Sequence, residues 1–309
     1  MTISAEGPRM TSDDWLTERF EEHRRHLFSV AYRMLGSTAD AEEAVQEAWL
    51  RLSRSDDAAA GEIDNLGGWL TTVVSRISLN VLRSRTSHRQ ESLDEHLERQ
   101  PDRLPEPLVV LDGAGDPVDQ ALLADSVGVA LLVVLDQLSP AERIAFVLHD
   151  LFASPFEEIA PIIDRSSDAA RQLASRARRR IQGRAVPVER DRARQRAVVD
   201  AFFAAAHDGD LQRLVGVLDP DVVLRADLGA GIVAHRGAER VAGNAVMYAD
   251  PARTVHPATV NGAAGVVITR DGRLVSVMAF TVAEGRITEI EAYADPVLTA
   301  RLGIDLGLS

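Results

Sequence analysis

Six polar side chains on one predicted helix have the chemistry to contact DNA. They lie in SPFEEIAPIIDRSSDAARQLASRARRRIQGR, residues 154–184, which reads as two short helices around a tight turn, the second rich in arginine. Arginine and glutamine pair in bidentate fashion with base edges, and arginine also suits phosphates. The pattern predicts a helix-turn-helix whose second helix contacts DNA. Its outward or flanking side chains are Arg171, Gln172, Ser175, Arg176, Arg178 and Arg179.

The first helix of this pair has its own start and stop signals. Ser154 is predicted to cap it, with Glu157 as the capping-box partner, and Pro155 suits the first helical position because no amide hydrogen bond is lost there. Pro161 falls inside the same helix, where a proline removes a backbone hydrogen bond at a cost of ~3 kcal/mol. We therefore expect a kink or a short helix.

The turn and the second helix are marked by polar residues. Asp164 falls where the chain turns, and we expect it in the left-handed conformation that Asp tolerates. Ser166 or Ser167 is predicted to cap the second helix. A merely solvated arginine-rich helix is the weaker interpretation, because a capped helix and a turn precede this one. The predicted inner face consists of Ala170, Leu173, Ala177 and Ile181.

Composition limits the classes of protein that need to be considered. The chain has 309 residues, enough for two or three domains, and its 46% hydrophobic and 26% charged residues are typical of a globular protein. It has no cysteine and no HExxH-like spacing, so we expect no metal and no cofactor. With no apolar run near ~18 residues and no signal-peptide pattern, we expect a cytoplasmic protein without a membrane partner. The net charge of −13 is compatible with DNA binding, because basic residues concentrate at Arg76–Arg89 and Arg171–Arg196.

The first block, from about Trp15 to Ser92, is predicted to form three helices. The second of them, ADAEEAVQEAWLRLSR, follows Gly36 and is capped by Ser37 or Thr38. The first helix carries an apolar stripe of Leu27, Val30, Ala31, Met34 and Leu35. The second is predicted to bury Ala41, Ala44, Val45, Ala48, Trp49 and Leu52. Its exposed acidic face consists of Asp40, Glu43, Gln46 and Glu47.

The third helix, Asn65 to Arg85, is predicted to be basic on its outer side. An acidic helix and a basic helix in one bundle imply two partners, one cationic and one a polyanion, although a bundle with an ordinary charged exterior is the alternative. Its predicted core positions are Trp69, Val73, Ile77 and Leu79 to Leu82. Its predicted basic side contains Arg76, Asn80, Arg83 and Arg85, followed by His88 and Arg89.

Two separated motifs resemble the sigma-70 family of bacterial transcription factors. AYRMLGSTADAEEAVQEAWLRL followed by NLGGWLTTVVSRISLNVLRSR resembles region 2, and LSPAERIAFVLHDLFASPFEEIAPIIDRSSDAARQLASRARRR resembles region 4. Their order and spacing, without regions 1 and 3, match the extracytoplasmic-function (ECF) group. The resemblance implies two all-α domains, a region 2 helical bundle and a region 4 helix-turn-helix. It also implies a function, which is to direct core RNA polymerase to −35/−10 promoters for transcription initiation.

The same resemblance implies roles for particular residues. The helix that grips the clamp helices of the polymerase β′ subunit would contain Asp40, Glu43, Gln46, Glu47 and Trp49. The helix that melts and reads the −10 element would use Trp69, Arg76, Asn80 and Arg83. The −35 element would be read by the arginine-rich helix described first. The apolar surface around Leu148 and Phe152 would lie near the β flap.

Pro101 to Pro117, PDRLPEPLVVLDGAGDP, is interpreted as a linker. It is too rich in Pro, Gly and Asp for a helix or a strand, and its prolines hold it extended. Leu104 to Pro107 resemble the WLPEP linker motif of the ECF subgroup with a fused C-terminal domain, the SigJ type. Arg103 stands where that motif has Trp.

From about Arg190 to Leu306 the pattern becomes mixed α+β. A long helix is predicted to bury Val198, Ala201, Phe202 and Ala205, and a second begins near Asp210. Strands are predicted at Val255–Val260, Gly265–Thr269, Leu274–Val282 and Ile287–Tyr293. Helices against a curved sheet leave a conical pocket, and the segment resembles the SnoaL-like (NTF2-like) domain of SigJ-type factors. By that resemblance, the residues that regulate the sigma regions are Pro105, Glu106, Asp227, Asp295 and Pro296.

Two other functional classes remain open from the sequence. An isomerase or cyclase in the C-terminal pocket would draw on Asp227, His235 or Tyr293, and that pocket would take a small-molecule ligand. A ligand-sensing repressor would leave the acidic helix unexplained. The predicted domains are residues 12–95 (region 2), 96–117 (linker), 118–186 (region 4) and 190–306 (the SnoaL-like domain, expected to autoregulate the factor).

Overall fold

The computed structural model consists of two compact units, each assembled from two stretches of chain. The first, which we name the helical unit, comprises Met1–Asp94 and Leu138–Arg178. The second, which we name the C-terminal unit, comprises Glu95–Gln137 and Arg179–Ser309. The structure describes residues 12–55, 63–91, 103–113, 128–182, 189–247, 250 and 252–307.

The helical unit begins with a three-helix bundle. Its helices are α1 (Ser12–Leu35), α2 (Thr38–Ser53) and α3 (Leu66–Glu91). Gly36 turns the chain between the first two with φ 67°, and Ser37 caps α2 by accepting a hydrogen bond from the Asp40 amide. All five residues of the predicted stripe on α1 are buried. Of the six predicted core positions of α2, five are buried and Trp49 is half-buried. The stripes on α1 and α2 were therefore predicted correctly.

The buried face of α3 differs from its prediction. Trp69, Val73 and Ile77 are only half-buried. The helix begins at Leu66, after Asn65, whose side-chain carbonyl accepts a hydrogen bond of 2.9 Å from the Gly68 amide. Its buried residues are Leu66, Leu70, Val74, Ser75, Ser78, Leu79 and Leu82. Leu79 and Leu82 were therefore predicted correctly, whereas Trp69, Val73, Ile77 and the half-buried Val81 were wrong. The predicted His88 and Arg89 side chains lie outside the described residues.

The helix-turn-helix follows in the same unit. Helix α5 (Pro140–Phe146) starts with a capping box of Ser139 and Glu142 and continues into a π-helical turn, Val147–Leu151. Then come α6 (Phe156–Ile159) and α7 (Ser167–Gln182). We number as α4 the helix Val129–Leu135, which belongs to the C-terminal unit.

Most of the local signals in this motif are confirmed. Helix α6 is only one turn long and ends before Pro161, as expected from the proline. Asp164 is left-handed with φ 56°, and the Ser166 hydroxyl caps α7 by accepting from the Ala169 amide at 3.2 Å. The predicted Ser154 cap is wrong, because Pro155 occupies the N-cap position of α6. The buried residues of α7 are Ala170, Ala174 and Ala177, while Leu173 and Ile181 are half-buried.

In its described residues, the C-terminal unit is a seven-stranded sheet with helices on both faces. The strand order is β1-β4-β5-β6-β7-β2-β3, and β2 pairs with β7 in parallel while the other pairs are antiparallel. Its strands are β1 (Val109–Leu111), β2 (Leu218–Asp227), β3 (Ile232–Arg236), β4 (Arg253–Val260), β5 (Ala263–Arg270), β6 (Arg273–Ala283) and β7 (Arg286–Tyr293). Its helices after α4 are α8 (Arg192–His207), α9 (Leu211–Val217), α10 (Ala238–Met247) and α11 (Pro296–Asp305).

One face of the sheet is covered by α8, α9 and α10. The rings of Phe202, Phe203 and Phe280 lie 5.3–5.9 Å apart in mutual edge-to-face contact and fill this layer. Four strands were predicted from the sequence and are observed as β4 to β7, each slightly longer, and the α+β class is confirmed. Strands β2 and β3 and helices α10 and α11 were not predicted.

The other face is covered by α11 and by segments that precede the domain in sequence. Leu104 of the linker and Val129 and Val133 of α4 are buried in a core with Val277 and Tyr293. The linker contributes strand β1, paired with β4, so the prediction that it has no strand is wrong. A short edge strand tolerates the prolines before it, because the ladder uses only three residues after them.

Candidate nucleic-acid interface

Helix α7 presents the predicted DNA-contacting residues on one stripe. Arg171, Gln172, Arg176 and Arg179 are exposed, and Ser175 between them is half-buried. Arg178 lies on the flank of the helix and forms an ion pair with Asp150 of the π-helical turn. The exposed stripe therefore has three guanidinium groups and one amide along one side of a helix. These groups can form hydrogen bonds with base edges and phosphates.

Arg171 is held in place by two neighbours. Its Nη1 lies 2.9 Å from the Asp168 carboxylate, and its guanidinium carbon lies 5.3 Å from the centre of the Phe156 ring. Phe156 is the first residue of α6, so the two helices of the motif meet at this side chain. Sequence reasoning missed Phe156, whose only signal is an aromatic residue at the start of the first helix.

Helix α3 places the predicted −10 residues on one face. Arg76, Asn80 and Arg83 are exposed at helical spacing, with Trp69 half-buried two turns before Arg76. Two of them contact the turn of the helix-turn-helix. Arg76 donates to the carbonyl of Pro161 at 3.2 Å, and Arg83 lies 3.7 Å from the Asp164 carboxylate. No pattern in the sequence indicates these contacts, because about 80 residues separate the partners.

Helix α2 places the acidic residues on its outer face, where some are exposed and others form ion pairs within the bundle. Glu43 and Gln46 are exposed. Asp40 is engaged by Arg85, which also donates to the Leu35 carbonyl at 3.0 Å, and Glu47 lies 2.9 Å from Arg51. The basic residue Arg85 of α3 thus stabilises the bundle itself.

A groove runs between α1 and α2 beside this acidic face. Its volume is about 450 Å³, and Trp49 forms one wall by packing on Phe20 with ring centres 5.1 Å apart. Gln46, Glu42 and Glu21 line its rim. Arg24 also lines the groove, 3.1 Å from Glu21 and 3.5 Å from Glu42, so the groove combines an apolar floor with a rim of paired charges.

Phe152, at the surface predicted for the β flap, contacts the bundle instead. The Arg33 guanidinium lies over its ring at 4.6 Å, and His26 meets the ring edge-on at 5.3 Å. Leu148 is buried. In this structure the predicted flap surface is therefore covered by residues of α1.

The predicted regulatory residues gather where the linker meets the C-terminal sheet. The Asp227 carboxylate accepts hydrogen bonds from the amides of Leu104 (3.4 Å) and Gly229 (3.0 Å). Asp295 lies 3.6 Å from Arg103, the residue that stands at the Trp position of the linker motif. Glu106 forms an ion pair of 3.0 Å with Arg301 of α11.

The remaining members of this set behave differently. Pro105 is buried, while Pro296 is exposed. Sequence reasoning missed Asn261, a buried left-handed residue at the β4–β5 turn. Its side chain accepts from the Leu108 amide at 2.8 Å, and its own amide donates to the Leu108 carbonyl at 2.8 Å. Asn261 therefore fixes the residue that leads into β1.

The candidate catalytic residues do not form one site. Asp227 and Tyr293 are paired in register on β2 and β7, and both are buried. His235 pairs with Leu224, three positions from Asp227 along β2, so it points to the opposite face of the sheet. The buried carboxylate that sequence reasoning missed is Glu291, which Arg225 contacts at 3.1 Å. Burial, with the neighbouring charge of Glu289, raises the pKa of Glu291 to about 8 against the opposing effect of Arg225.

Two family models match this chain. Sigma-70 region 2 matches residues 19–88, which contain α2 and most of α3, and Sigma-70 region 4 matches residues 128–181, which begin just before α4. The "Probable ECF RNA polymerase sigma factor SigI" of Mycobacterium tuberculosis is 35% identical over 299 residues, 96% of this chain and 99% of the relative. The chain belongs to the ECF sigma factors.

Other relatives agree with this family. The ECF RNA polymerase sigma factor SigJ of Mycobacterium tuberculosis is 42% identical over 227 residues, 72% of this chain and 69% of the relative. The crystal structure of that organism's SigJ covers 95% of this ECF sigma factor and 100% of its own chain, at 35% identity and a TM-score of 0.70. The C-terminal unit is thus confirmed as the NTF2-like, SnoaL-like domain of such factors.

The family decides between the functional classes. This ECF sigma factor is an RNA polymerase sigma factor, and neither the repressor nor the enzyme interpretation is favoured. Among the described residues, no helix is long and apolar enough to cross a membrane.

Proposed function

We propose that this ECF sigma factor binds core RNA polymerase through α2 and reads a two-part promoter through α3 and α7. The observation that carries the proposal is the exposed stripe of Arg171, Gln172 and Arg176 on a capped second helix. Such a helix fits the major groove, where arginine and glutamine distinguish guanine and adenine. We propose no catalytic role for the C-terminal unit and keep the predicted domain boundaries as part of this proposal.

The polymerase contact is proposed for Glu43 and Gln46 and the groove beside them. Asp40 and Glu47 already have basic partners within the bundle, so we assign them a supporting role on this face and not a direct contact with polymerase. Trp49 supplies the apolar wall. The partner element would be a helix with basic side chains, which is what the β′ clamp helices are expected to present; the β flap would take the surface around Phe152 once that surface is released from α1.

The −10 contact is proposed for the stripe of α3. Arg76, Asn80 and Arg83 lie on one exposed face of α3. Trp69 lies on the same face and is half-buried, and its ring suits stacking on an unpaired base. Arg76 and Arg83 contact the turn after α6 in this structure, so DNA must replace those contacts.

We propose that the C-terminal unit regulates the factor by capturing the chain between region 2 and region 4. Strand β1 pairs with β4, Asp227 and Asn261 bind linker amides, and Arg301 binds Glu106. Val129 and Val133, at the start of the region 4 match, are buried in the same core. Each extended residue of a free connection spans about 3.4 Å, and a captured residue no longer contributes this length. Capture therefore limits how far the two DNA-reading regions can separate.

A small-molecule ligand is not part of this proposal. Phe202, Phe203 and Phe280 pack against one another in the layer between the helices and the sheet, where the conical pocket was expected.

Transcription reconstituted with core polymerase tests the proposal. We expect promoter-dependent transcripts from the wild-type protein, and a loss of about 1–3 kcal/mol in promoter binding for Arg171→Ala or Arg176→Ala. Retention of core polymerase should not change. Wild-type transcription by both variants would show that this face of α7 does not read the promoter.

A further inference from the structure

The side chain of Phe156 lies between the two helices of the helix-turn-helix in an unusual aromatic arrangement. Its ring stacks on the His149 ring with centres 3.9 Å apart and planes 25° apart. The guanidinium of Arg171 lies 5.3 Å from the centre of the same Phe156 ring. One aromatic side chain of α6 therefore touches both the π-helical turn and the exposed arginine of α7.

The position of the two rings is itself fixed by the backbone. Nδ1–H of His149 donates to the Ser154 carbonyl at 3.0 Å, and the Ser154 amide donates to the Leu148 carbonyl at 2.9 Å. Ala153 between them is left-handed with φ 54°, which turns the chain back so that Phe156 returns to His149. The π-helical turn thus places the His149 ring beneath the first residue of α6.

Arg171 is consequently restrained on two sides. Asp168, three residues earlier in α7, binds Nη1 at 2.9 Å, while the Phe156 ring lies against the guanidinium. The Phe156 side chain is 9% exposed, and that of Arg171 is 56% exposed. An arginine that is already ordered loses less conformational entropy when it forms a bidentate pair with a base.

We infer that Phe156, supported by His149, is a positioning residue that orders Arg171 for reading the −35 element. The inference rests on the proposed function, because it requires α7 to contact the promoter. The ring does not contact DNA itself; it restricts the directions that the Arg171 side chain samples. Its removal should therefore weaken only the part of the affinity that Arg171 contributes.

A double-mutant cycle on the holoenzyme tests this. The wild-type factor with core polymerase first selects its preferred −35 sequence from duplexes randomised at that element, and affinities are then measured on the selected duplex. We expect Phe156→Leu to weaken binding roughly 3- to 10-fold, the range expected when the ordering of one long side chain must be paid on binding. In the Arg171→Ala background the same change should have no further effect. Phe156→Tyr, which keeps a ring, should bind as the wild type does.

The controls separate positioning from folding. Ile159→Val trims a fully buried side chain of the same helix that has no aromatic ring to hold Arg171, so it should lower thermal stability without coupling to Arg171→Ala. If Phe156→Leu does not fold, Phe156→Met replaces the ring by a flexible chain of similar size in the same cycle. Equal losses of affinity with and without Arg171 would overturn the inference. If the wild type selects no −35 sequence, or Arg171→Ala binds normally, the proposed function of α7 fails and the inference falls with it.

Discussion

The guanidinium of Arg76 donates a hydrogen bond of 3.2 Å to the backbone carbonyl of Pro161. Arg76 lies on α3, to which we assign the −10 contact, and Pro161 lies in the turn that leads to α7, to which we assign the −35 contact. Two turns of α3 further on, Arg83 lies 3.7 Å from the Asp164 carboxylate, which the left-handed conformation of Asp164 presents outward. Two arginines that we assign to DNA therefore contact the neighbouring motif in this structure, and promoter binding must release them.

Removing the charge of Asp164 should favour DNA binding. Asn tolerates the left-handed conformation, so Asp164→Asn keeps the turn while it removes the carboxylate that competes with phosphate for Arg83. Because exposed ion pairs contribute only about 0–1 kcal/mol, we expect a rise of roughly 2- to 5-fold in the affinity of the free factor for duplex DNA at low salt. Glu157→Gln makes the same charge change on α6 and should have a smaller effect. Equal gains in both variants would assign the effect to net charge.

Charge reversal on α2 should weaken the polymerase contact. Glu43 is exposed and, among the described residues, the structure gives it no ion pair, so Glu43→Lys replaces attraction by repulsion without disturbing the bundle. We expect a loss of about tenfold in affinity for core polymerase at low salt, and a smaller loss at high salt where the charges are screened. Glu22→Lys on α1 is the matched control. Undiminished retention of core by Glu43→Lys, and by the Glu43→Lys, Glu47→Lys double variant, would remove α2 from the interface.

The ion pair between Glu106 and Arg301 should control transcription if linker capture is regulatory. Glu106→Ala and Asp295→Asn both loosen the linker, so we expect them to shift the yield of multi-round transcription in the same direction. Asp250→Asn breaks a pair with Arg270 in the same unit but away from the linker, and should leave transcription unchanged. The measurement compares all variants at equal saturation of core polymerase. Shifts of opposite sign would contradict the capture mechanism.

Deleting the C-terminal unit should expose apolar side chains of the remaining chain to solvent. A chain that ends near Ala185 loses the sheet against which Leu104, Val129 and Val133 are buried. Each uncovered aliphatic side chain costs about 1.5–3 kcal/mol, so we expect the truncated protein to bind a hydrophobic dye and to associate. Val129→Ser with Val133→Ser in the truncated chain should reduce both effects. A truncated protein that stays monomeric and transcribes at the full-length level would show that the domain neither supports nor regulates the sigma regions.

The buried carboxylate of Glu291 should make the stability of the C-terminal unit depend on pH. Its pKa of about 8 in the folded protein lies above the ordinary value of 4.5, so the folded state binds the proton more tightly. Its contribution is therefore present in full below pH 4.5 and is lost as the pH rises towards 8. We expect the wild type to lose on the order of 2 kcal/mol more than Glu291→Gln between pH 6 and pH 8.

The readout for Glu291 must belong to the C-terminal unit. The three tryptophans, Trp15, Trp49 and Trp69, precede residue 94, so their fluorescence reports the helical unit. Hydrogen exchange of the amides of β6 and β7 is specific to the sheet. Identical pH dependence of the two proteins in that measurement would show that Glu291 does not titrate in this range.

Sequence alone determined the features that depend on local chemistry. Gly36 and Ser37 mark a helix boundary, Asp164 marks a turn, and Pro161 limits α6 to one turn, because each acts through its own backbone or nearest neighbours. The exposed residues of α7 also follow from the sequence, since helical periodicity assigns every side chain to a face once the start is known. Periodicity was insufficient for α3, where Ser75 and Ser78 are buried and Trp69 is not, because an apolar count cannot tell which of two mixed faces meets the bundle.

Only the tertiary structure decided which distant residues meet. The Leu104–Asp227 hydrogen bond, the burial of Val129 and Val133 against the sheet, and the capture of a proline-rich segment as β1 join residues more than 100 positions apart. Such contacts depend on how complete helices and strands pack in three dimensions, and they leave no local residue pattern from which they could be predicted. The same reason hides the contact between Phe156 and Arg171, in which two helices must be placed before an aromatic ring and a guanidinium can touch.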